Sequence, residues 1–244
     1  MKKILIIGAN SKIALECSKI WASRNYELYL IGRNKKKLEI NSRILLKRGA
    51  KIAKYKCIDL LKIKKLRQEI EKNFTKIKNI DIAFICFGIL FNQKQEMHDW
   101  NKINKNIYLN GIVTCQLIYL IFKIFCKKKI GSIAVITSVA GDVIKKSNFI
   151  YGLAKSMVSN FMLGLNYELK NNNIRLIDIK PGLIKTPMTV NFKKNFLWSK
   201  ANYIAKIITK KIDINNSEVI YVPFYWRYLI GILKLFPNKI LKFL

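Results

Sequence analysis

Two tyrosine–lysine pairs in this chain have four-residue spacing, Tyr151/Lys155 and Tyr119/Lys123. On a helix that spacing puts a phenol and an ammonium on one face. A cation beside a phenol favours the phenolate and is expected to lower the tyrosine pKa from its free value of about 10. Such a tyrosine can hand a proton to a carbonyl oxygen as hydride reaches the carbon. Eleven tyrosines in a Lys-rich chain yield about two such pairs by chance. Context separates them. Tyr119/Lys123 sits in an apolar stretch with no polar companion. Tyr151 follows Ser138, which ends the apolar run Gly131 to Thr137. A hydroxyl at the C-terminal end of a central strand faces the ligand crevice of an open α/β sheet. There it can donate to the same carbonyl oxygen as the phenol. Ser138, Tyr151 and Lys155 are therefore the expected carbonyl-reduction site.

A second group of residues suits a phosphorylated cofactor. Gly8-Ala9-Asn10-Ser11-Lys12-Ile13-Ala14 lies between the first apolar run and the first helical pattern. A tight strand-to-helix turn points backbone N–H groups and a helix N-terminus at an anion. Gly8, Asn10, Ser11 and Ile13 are the expected contacts. Lys12 and Ala14 stand where such loops usually carry glycine; Ala14 is small enough for close packing, whereas Lys12 is not. After the second strand comes Gly32-Arg33-Asn34, without the carboxylate that would bind a ribose 2′-hydroxyl. Arg33 can pair with a 2′-phosphate instead. NADPH is the expected cofactor, with NADH as the alternative. Asp59 and the Leu60 amide follow the third strand, where they can meet an adenine. Gly88 ends the fourth, where a missing side chain lets the cofactor cross the sheet edge.

These groups need elements to hold them. Strands are predicted at Lys3 to Gly8, Glu27 to Gly32, Ala50 to Ile58, Asp81 to Phe87, Gly131 to Thr137, Ile174 to Ile179 and Glu218 to Val222. Helical patterns cover Ser11 to Arg24, Lys35 to Lys47, Leu60 to Phe74, Asn101 to Lys127, Phe149 to Lys170 and Ser199 to Ile212. Strands apolar on both faces and separated by helices mean a parallel sheet covered on both sides.

In order and spacing, Gly8 to Ala14, Asp59, Gly88, Asn110, Ser138, Tyr151, Lys155 and Pro181-Gly182 resemble the short-chain dehydrogenase/reductase family over nearly the whole chain. The resemblance implies an α/β, Rossmann-type doubly wound parallel sheet of about seven strands, with helices on both faces. It implies Tyr151 as acid/base, and Lys155 as its pKa partner and nicotinamide-ribose ligand. Ser138 would orient the carbonyl, and Asn110 would hold a proton-relaying water, with Asn106 as the competing choice. Pro181, Gly182, the Ile184 amide and Thr186 would bind the nicotinamide carboxamide. The family's usual Asn-Asn-Ala-Gly is Ile85-Cys86-Phe87-Gly88 here, a departure that bears on cofactor geometry.

A narrower resemblance rests on Ser138 to Asp142, Ser147-Asn148-Phe149, Lys180 to Gly182, Thr186 to Thr189 and Pro223 to Arg227. It is to the branch acting on lipid-linked or cell-envelope sugars, including reduction of the 2-keto intermediate in decaprenylphosphoryl-arabinose formation. A small-molecule or lipid-linked keto-sugar is the expected substrate. A soluble ketone, such as an acyl-carrier thioester, is the alternative. A non-catalytic dinucleotide- or nucleic-acid-binding protein is a third reading, and the intact Ser138/Tyr151/Lys155 set argues against it.

Composition narrows the field further. A length of 244 residues without a composition break reads as one domain, 1–244, ending in an amphipathic segment, 223–244. The 51% hydrophobic content excludes disorder. The net charge of +32 excludes a calcium-binding chain dense in carboxylates. Only seven of the 46 basic residues are arginine, the residue preferred for bidentate phosphate recognition, so nucleic acid is not the expected partner. Five scattered cysteines without CxxC spacing fit a reducing compartment. The single histidine, His98, lies in a polar stretch and leaves no basis for a histidine metal site. The apolar run from Ile4 to the Gly8 turn is too short for a signal peptide, so a cytoplasmic protein is expected. In 223–244, Tyr225, Trp226, Leu229, Ile230, Leu233 and Phe236 alternate with Arg227, Lys234, Lys239 and Lys242. Such a segment suits peripheral contact with the inner face of an anionic membrane, or packing on the core. The apolar helix from Asn101 and the helix from Phe149 are candidates for a homo-oligomer interface.

Overall fold

The computed structural model describes residues 1–62, 68–72, 77, 79–169, 173–214 and 218–236. Its strands are β1 (Lys3–Ile7), β2 (Glu27–Gly32), β3 (Ile52–Cys57), β4 (Ile82–Ile85), β5 (Ile130–Ile136), β6 (Asn173–Pro181), β7 (Ile184–Lys185), β8 (Ser199–Lys200) and β9 (Val219–Val222). Seven of them form one sheet in the order β3-β2-β1-β4-β5-β6-β9, and every neighbouring pair is parallel. The remaining two, β7 and β8, pair separately.

The helices are α1 (Lys12–Ala22), α2 (Lys35–Lys47), α3 (Gln93–Glu96), α4 (Trp100–Ile107), α5 (Thr114–Lys128), α6 (Phe149–Tyr167), α7 (Ala201–Ile214) and α8 (Trp226–Leu235). Side chains alternate between the faces of a strand. In β1, Ile4 and Ile6 enter one core with Trp21 of α1, Leu38 of α2 and Ile204 of α7. Leu5 and Ile7 enter the other with Leu117 and Phe125 of α5 and Val158 of α6. Trp21 meets Phe84 edge to face at 5.3 Å. This is the two-sided sheet expected from the apolar runs.

The strand order reverses at β1, whose neighbours are β2 and β4. Ile7 stands level with both Ile31 and Ile85, so Gly8, Gly32 and Cys86 meet at one edge. A crevice at such a reversal is where open α/β sheets bind ligands.

Some boundaries differ from the sequence reading. The third strand is shorter at both ends. Of the helix expected from Leu60 to Phe74, residues 68–72 are helical, and 63–67 and 73–76 lie outside the described residues. The long helix expected from Asn101 is broken by a π-helical segment, Tyr108–Val113, between α4 and α5. Such segments are rare and are frequently found at functional sites, and an apolar run carries no sign of one. Among the described residues, Trp100–Lys128 is long and apolar enough to cross a membrane. Leu109, Val113, Leu117, Ile121 and Phe125 are packed in the second core, which makes it a core helix. At the C-terminal side, Trp226 and Ile230 of α8 pack on Val139 and Val143. Residues 237–244 of the expected amphipathic segment, including Lys239 and Lys242, lie outside the described residues.

Many carboxylates are engaged by cations of the same chain. Glu16 takes Lys12 and Lys19, Asp213 takes Lys2 and Arg24, Glu27 takes Lys3, and Glu39 takes Arg43. Lysine patches such as Lys35 to Lys37 stay exposed.

Candidate active site

The turn after β1 is built around Gly8, whose φ is +92°. An added Cβ there would lie 2.5 Å from the Phe87 nitrogen, so only glycine fits between β1 and the end of β4. The Gly8 and Ala9 amides donate to the Ile31 carbonyl at 2.8 and 2.9 Å. Ser11 caps α1, accepting the Ala14 N–H at 3.3 Å. The first amides of α1, at Lys12 and Ile13, have no acceptor within their helix and form the donor end of the cradle. The Ile13 side chain itself is buried in the core, so its contribution is backbone. Lys12 is exposed and pairs with Glu16 at 2.9 Å, along the helix.

Asn10 holds the neighbouring loop. Its Oδ1 accepts the Asn34 N–H at 3.0 Å, and its amide donates to the Asn34 carbonyl at 3.3 Å. That fixes the turn carrying exposed Arg33 beside the cradle. A cleft of 580 Å³ opens there, lined by Arg33, Asp59, Leu61, Lys62, Lys105 and Tyr108 among others. Asp59 accepts the Leu61 N–H at 3.1 Å, while Leu60 is buried. The cleft's lining does not include Ser138 or Tyr151. It is a mostly apolar recess with Arg33, Lys62 and Lys105 on its wall, suited to an adenosine carrying a phosphate.

The reacting groups come from β5 and α6. Ser138 lies two residues beyond the end of β5, and its Oγ accepts the Ala140 N–H at 3.1 Å. Gly152 lies so close to this turn that a Cβ would stand 2.5 Å from the Ala140 carbonyl oxygen. That approach brings Tyr151 beside Ser138, whose hydroxyl favours the ionised phenol. Lys155, one helical turn on, is 2% exposed. Its Nζ donates to the Ile136 carbonyl at 3.0 Å and lies 5.6 Å from the Tyr151 ring centre. The rival pair differs: Tyr119 is 46% exposed on the outer face of α5.

The expected lowering of the Tyr151 pKa is not what this site produces. Burial pushes the phenol above its ordinary value, the Cys86 thiol adds to the rise, and Ser138 pulls it partly back. Burial also brings the Lys155 ammonium down to about 8, against the opposing pull of Cys86 and Asp178. Desolvation is the largest influence on both groups. Tyr151 is thus proton-loaded at neutral pH, the state a proton donor needs.

Asn110 belongs to the site, within the π-helical segment. Its amide donates to the Ile89 carbonyl at 2.8 Å and its Oδ1 accepts the Ile89 N–H at 3.0 Å. A Cβ on Gly88 would stand 2.9 Å from that Oδ1 and 3.7 Å from Lys155 Nζ, so Gly88, Asn110 and Lys155 converge. Asn106 does not compete with Asn110. It lies behind it and accepts its amide.

Pro181, the last residue of β6, and Ile184 beyond it are buried. Thr186 and Thr189 form a reciprocal capping box. Gly182 lies under the Trp226 indole, where a Cβ would come within 1.9 Å of Nε1. The turn carrying Ser138 is pinned from the same side. Lys180 donates to Asp142 at 2.5 Å and stands 3.7 Å from Asp178; Tyr221 donates to Asp142 at 2.9 Å. Thr137 donates to Asp178. Sequence reasoning missed this brace, because its members are far apart in the chain and look like ordinary surface charges. It also missed Cys86, whose sulfur lies 3.2 Å from Ser11 Oγ. Burial raises that thiol to about 11, so it is protonated at the sheet edge. His98 is exposed, and the described residues hold no cluster of metal-ligating side chains.

The short chain dehydrogenase family model matches residues 2–196. An uncharacterized oxidoreductase of Staphylococcus saprophyticus is 24% identical over 189 residues, covering 77% of this chain and 80% of the relative. Carbonyl reductase family member 4 of Xenopus laevis is 28% identical over 200 residues, covering 80% and 81%. Among solved structures, a short-chain dehydrogenase from Sphingobium yanoikuyae in complex with NADPH superimposes with a TM-score of 0.79. It is 22% identical, and the match covers 96% of this chain and 94% of that one.

Proposed function

The chain belongs to the short-chain dehydrogenase family and is an oxidoreductase of it, and on that premise we propose that it is an NADPH-dependent reductase of a keto-sugar, free or carried on a polyprenyl phosphate. The observation that carries the reductase reading is the convergence of a proton-loaded Tyr151, Ser138 and buried Lys155 beside the phosphate cradle. The cradle and the Arg33 recess support NADPH. Gly8, Ser11 and the first amides of α1 would hold the pyrophosphate, and Arg33 the 2′-phosphate. Asp59 and Leu60 would flank the adenine, and Pro181 to Thr186 the carboxamide.

When bound, the nicotinamide supplies the hydride. The chain's own residues do the rest. Ser138 donates a hydrogen bond to the substrate carbonyl oxygen and orients it. Tyr151 gives that oxygen its proton. Lys155, charged below a pH of about 8, steadies the phenolate left behind. Asn110, beside Lys155, keeps the route by which the proton is restored.

The surface around the site supports a lipid-borne substrate. Phe224, Tyr228, Ile232 and Leu235 are exposed on or beside α8, and Val190, Phe192 and Phe196 on the loop before β8. Lys193, Lys194, Arg227 and Lys234 are interleaved with them. Trp226 ties this surface to Gly182 and Val139, next to the reacting groups. It suits peripheral contact at the cytoplasmic face of an anionic membrane. Exposed Tyr108, Ile112, Leu153 and Met157 support a homo-oligomer through α5 and α6 and their π-helical neighbour.

NADPH oxidation tests the reading, with a 2-keto-sugar presented on a polyprenyl phosphate in anionic vesicles, the free keto-sugar, and an acyl-carrier 3-keto thioester. Turnover of the keto-sugars that disappears in Tyr151→Phe, with NADPH binding retained, is the expected result. Turnover by Tyr151→Phe would overturn the mechanism, and turnover of the thioester alone would overturn the substrate.

A further inference from the structure

The short turn α3 buries two of its residues, Gln93 and Glu96, and each is tied to a different arm of the site. Gln93 Oε1 accepts the Ile150 N–H at 3.4 Å, one residue before Tyr151. Glu96 is 1% exposed and accepts from Asn106 Nδ2 at 2.7 Å. Asn106 is fully buried and accepts the Asn110 amide. Asn110 closes the chain on both backbone groups of Ile89. Among the described residues no cation pairs with Glu96.

A buried carboxylate facing an amide rather than a cation calls for a reason. The reason lies in polarity. An asparagine amide has a donor end and an acceptor end of nearly the same shape, whereas an ionised carboxylate only accepts. Glu96 therefore takes the NH₂ end of Asn106. Asn106 must then turn its oxygen toward Asn110, which meets it with its own NH₂ group. That leaves the Asn110 oxygen for the Ile89 N–H. The carboxylate at one end and the Ile89 backbone at the other impose the same direction on every link.

We propose that Glu96 is a positioning residue: by anchoring Asn106 it holds the Asn110 amide in place against Ile89, beside Lys155. Only the kinetic consequence rests on the reductase reading. The π-helical segment fits the same picture, since it carries Asn110 while α4 before it carries Asn106.

Glu96→Leu removes the acceptor at similar size, and Glu96→Gln keeps an acceptor oxygen. Amide exchange at Ile89, followed by NMR in the full chain and referenced to Ile6 in β1, reads the Asn110 contact directly. Losing one hydrogen bond should speed that exchange about tenfold in Glu96→Leu, with Glu96→Gln close to the parent. With a turned-over ketone, kcat of Glu96→Leu should fall by about the same factor at unchanged KM for ketone and NADPH, and Glu96→Gln should restore it. If Glu96→Leu does not fold, Glu96→Gln alone carries the test: Ile89 exchange and kcat close to the parent are expected, and a tenfold change in either, with an acceptor oxygen retained at position 96, would overturn the proposal. Unchanged Ile89 exchange in a folded Glu96→Leu, equal loss in both variants, or altered exchange with unaltered kcat would each overturn it as well. A parent protein that reduces no ketone would overturn the reductase reading, while Ile89 exchange would still decide the role of Glu96.

Discussion

Replacing Lys155 by methionine should make the protein more stable at neutral pH. Methionine keeps the stem and removes the charge. In the folded chain burial brings the ammonium from its ordinary 10.5 to about 8. Holding it charged at pH 7 therefore costs about 3 kcal/mol, at about 1.36 kcal/mol per pKa unit. The hydrogen bond to the Ile136 carbonyl returns about 1 kcal/mol, which methionine forfeits. The net expected gain is about 2 kcal/mol, or about 5 °C for a chain of this size. The sign with pH is equally definite. The folded pKa lies below the unfolded one, so between the two the unfolded chain binds the extra proton, and the stability of the parent rises with pH. The advantage of Lys155→Met should shrink by about 2 kcal/mol between about pH 7 and about pH 9.5. Urea unfolding of both proteins at the two pH values measures this. A variant less stable than the parent at neutral pH, or a difference that ignores pH, would refute the reasoning.

Arg33→Ala should raise KM for NADPH by about 10- to 100-fold, the loss of one charge-assisted contact, while leaving KM for NADH nearly unchanged. An equal rise for both cofactors would place the arginine elsewhere. Gly8→Ala forces a Cβ onto the Phe87 nitrogen at positive φ. A loss of at least about 2 kcal/mol in urea unfolding is expected, and a shift within about 0.5 kcal/mol would show that the turn yields more easily than its geometry implies.

The parts of this molecule legible from residue order were those written in local pattern. Ile4 to Ile7 and Ile133 to Val135 are apolar on both faces, and that alone implied a covered parallel sheet. Ser138, Tyr151 and Lys155 were legible because a strand end and a helical repeat place them. The rest depends on contacts that sequence spacing does not encode. Asp142, Lys180 and Tyr221 meet only because β5, β6 and β9 are neighbours. Asn106 was weighed only as a rival to Asn110, because its contact with Glu96 depends on how the turn before α4 folds back onto it. The phenol's pKa was misjudged for a related reason: proximity to a cation can be read from spacing, and desolvation cannot.

The engaged carboxylates have a kinetic side. With 46 basic residues against 14 acidic ones, pairing can cancel at most 14 cations, and the chain carries a net +32. A ligand carrying several phosphate charges is then attracted before it touches the cleft. Fields of this kind raise encounter rates by roughly 10- to 1,000-fold at low ionic strength. Their reach contracts to about 8 Å at physiological salt. Salt would therefore slow capture of such a ligand while leaving its residence time in the cradle to the short-range contacts.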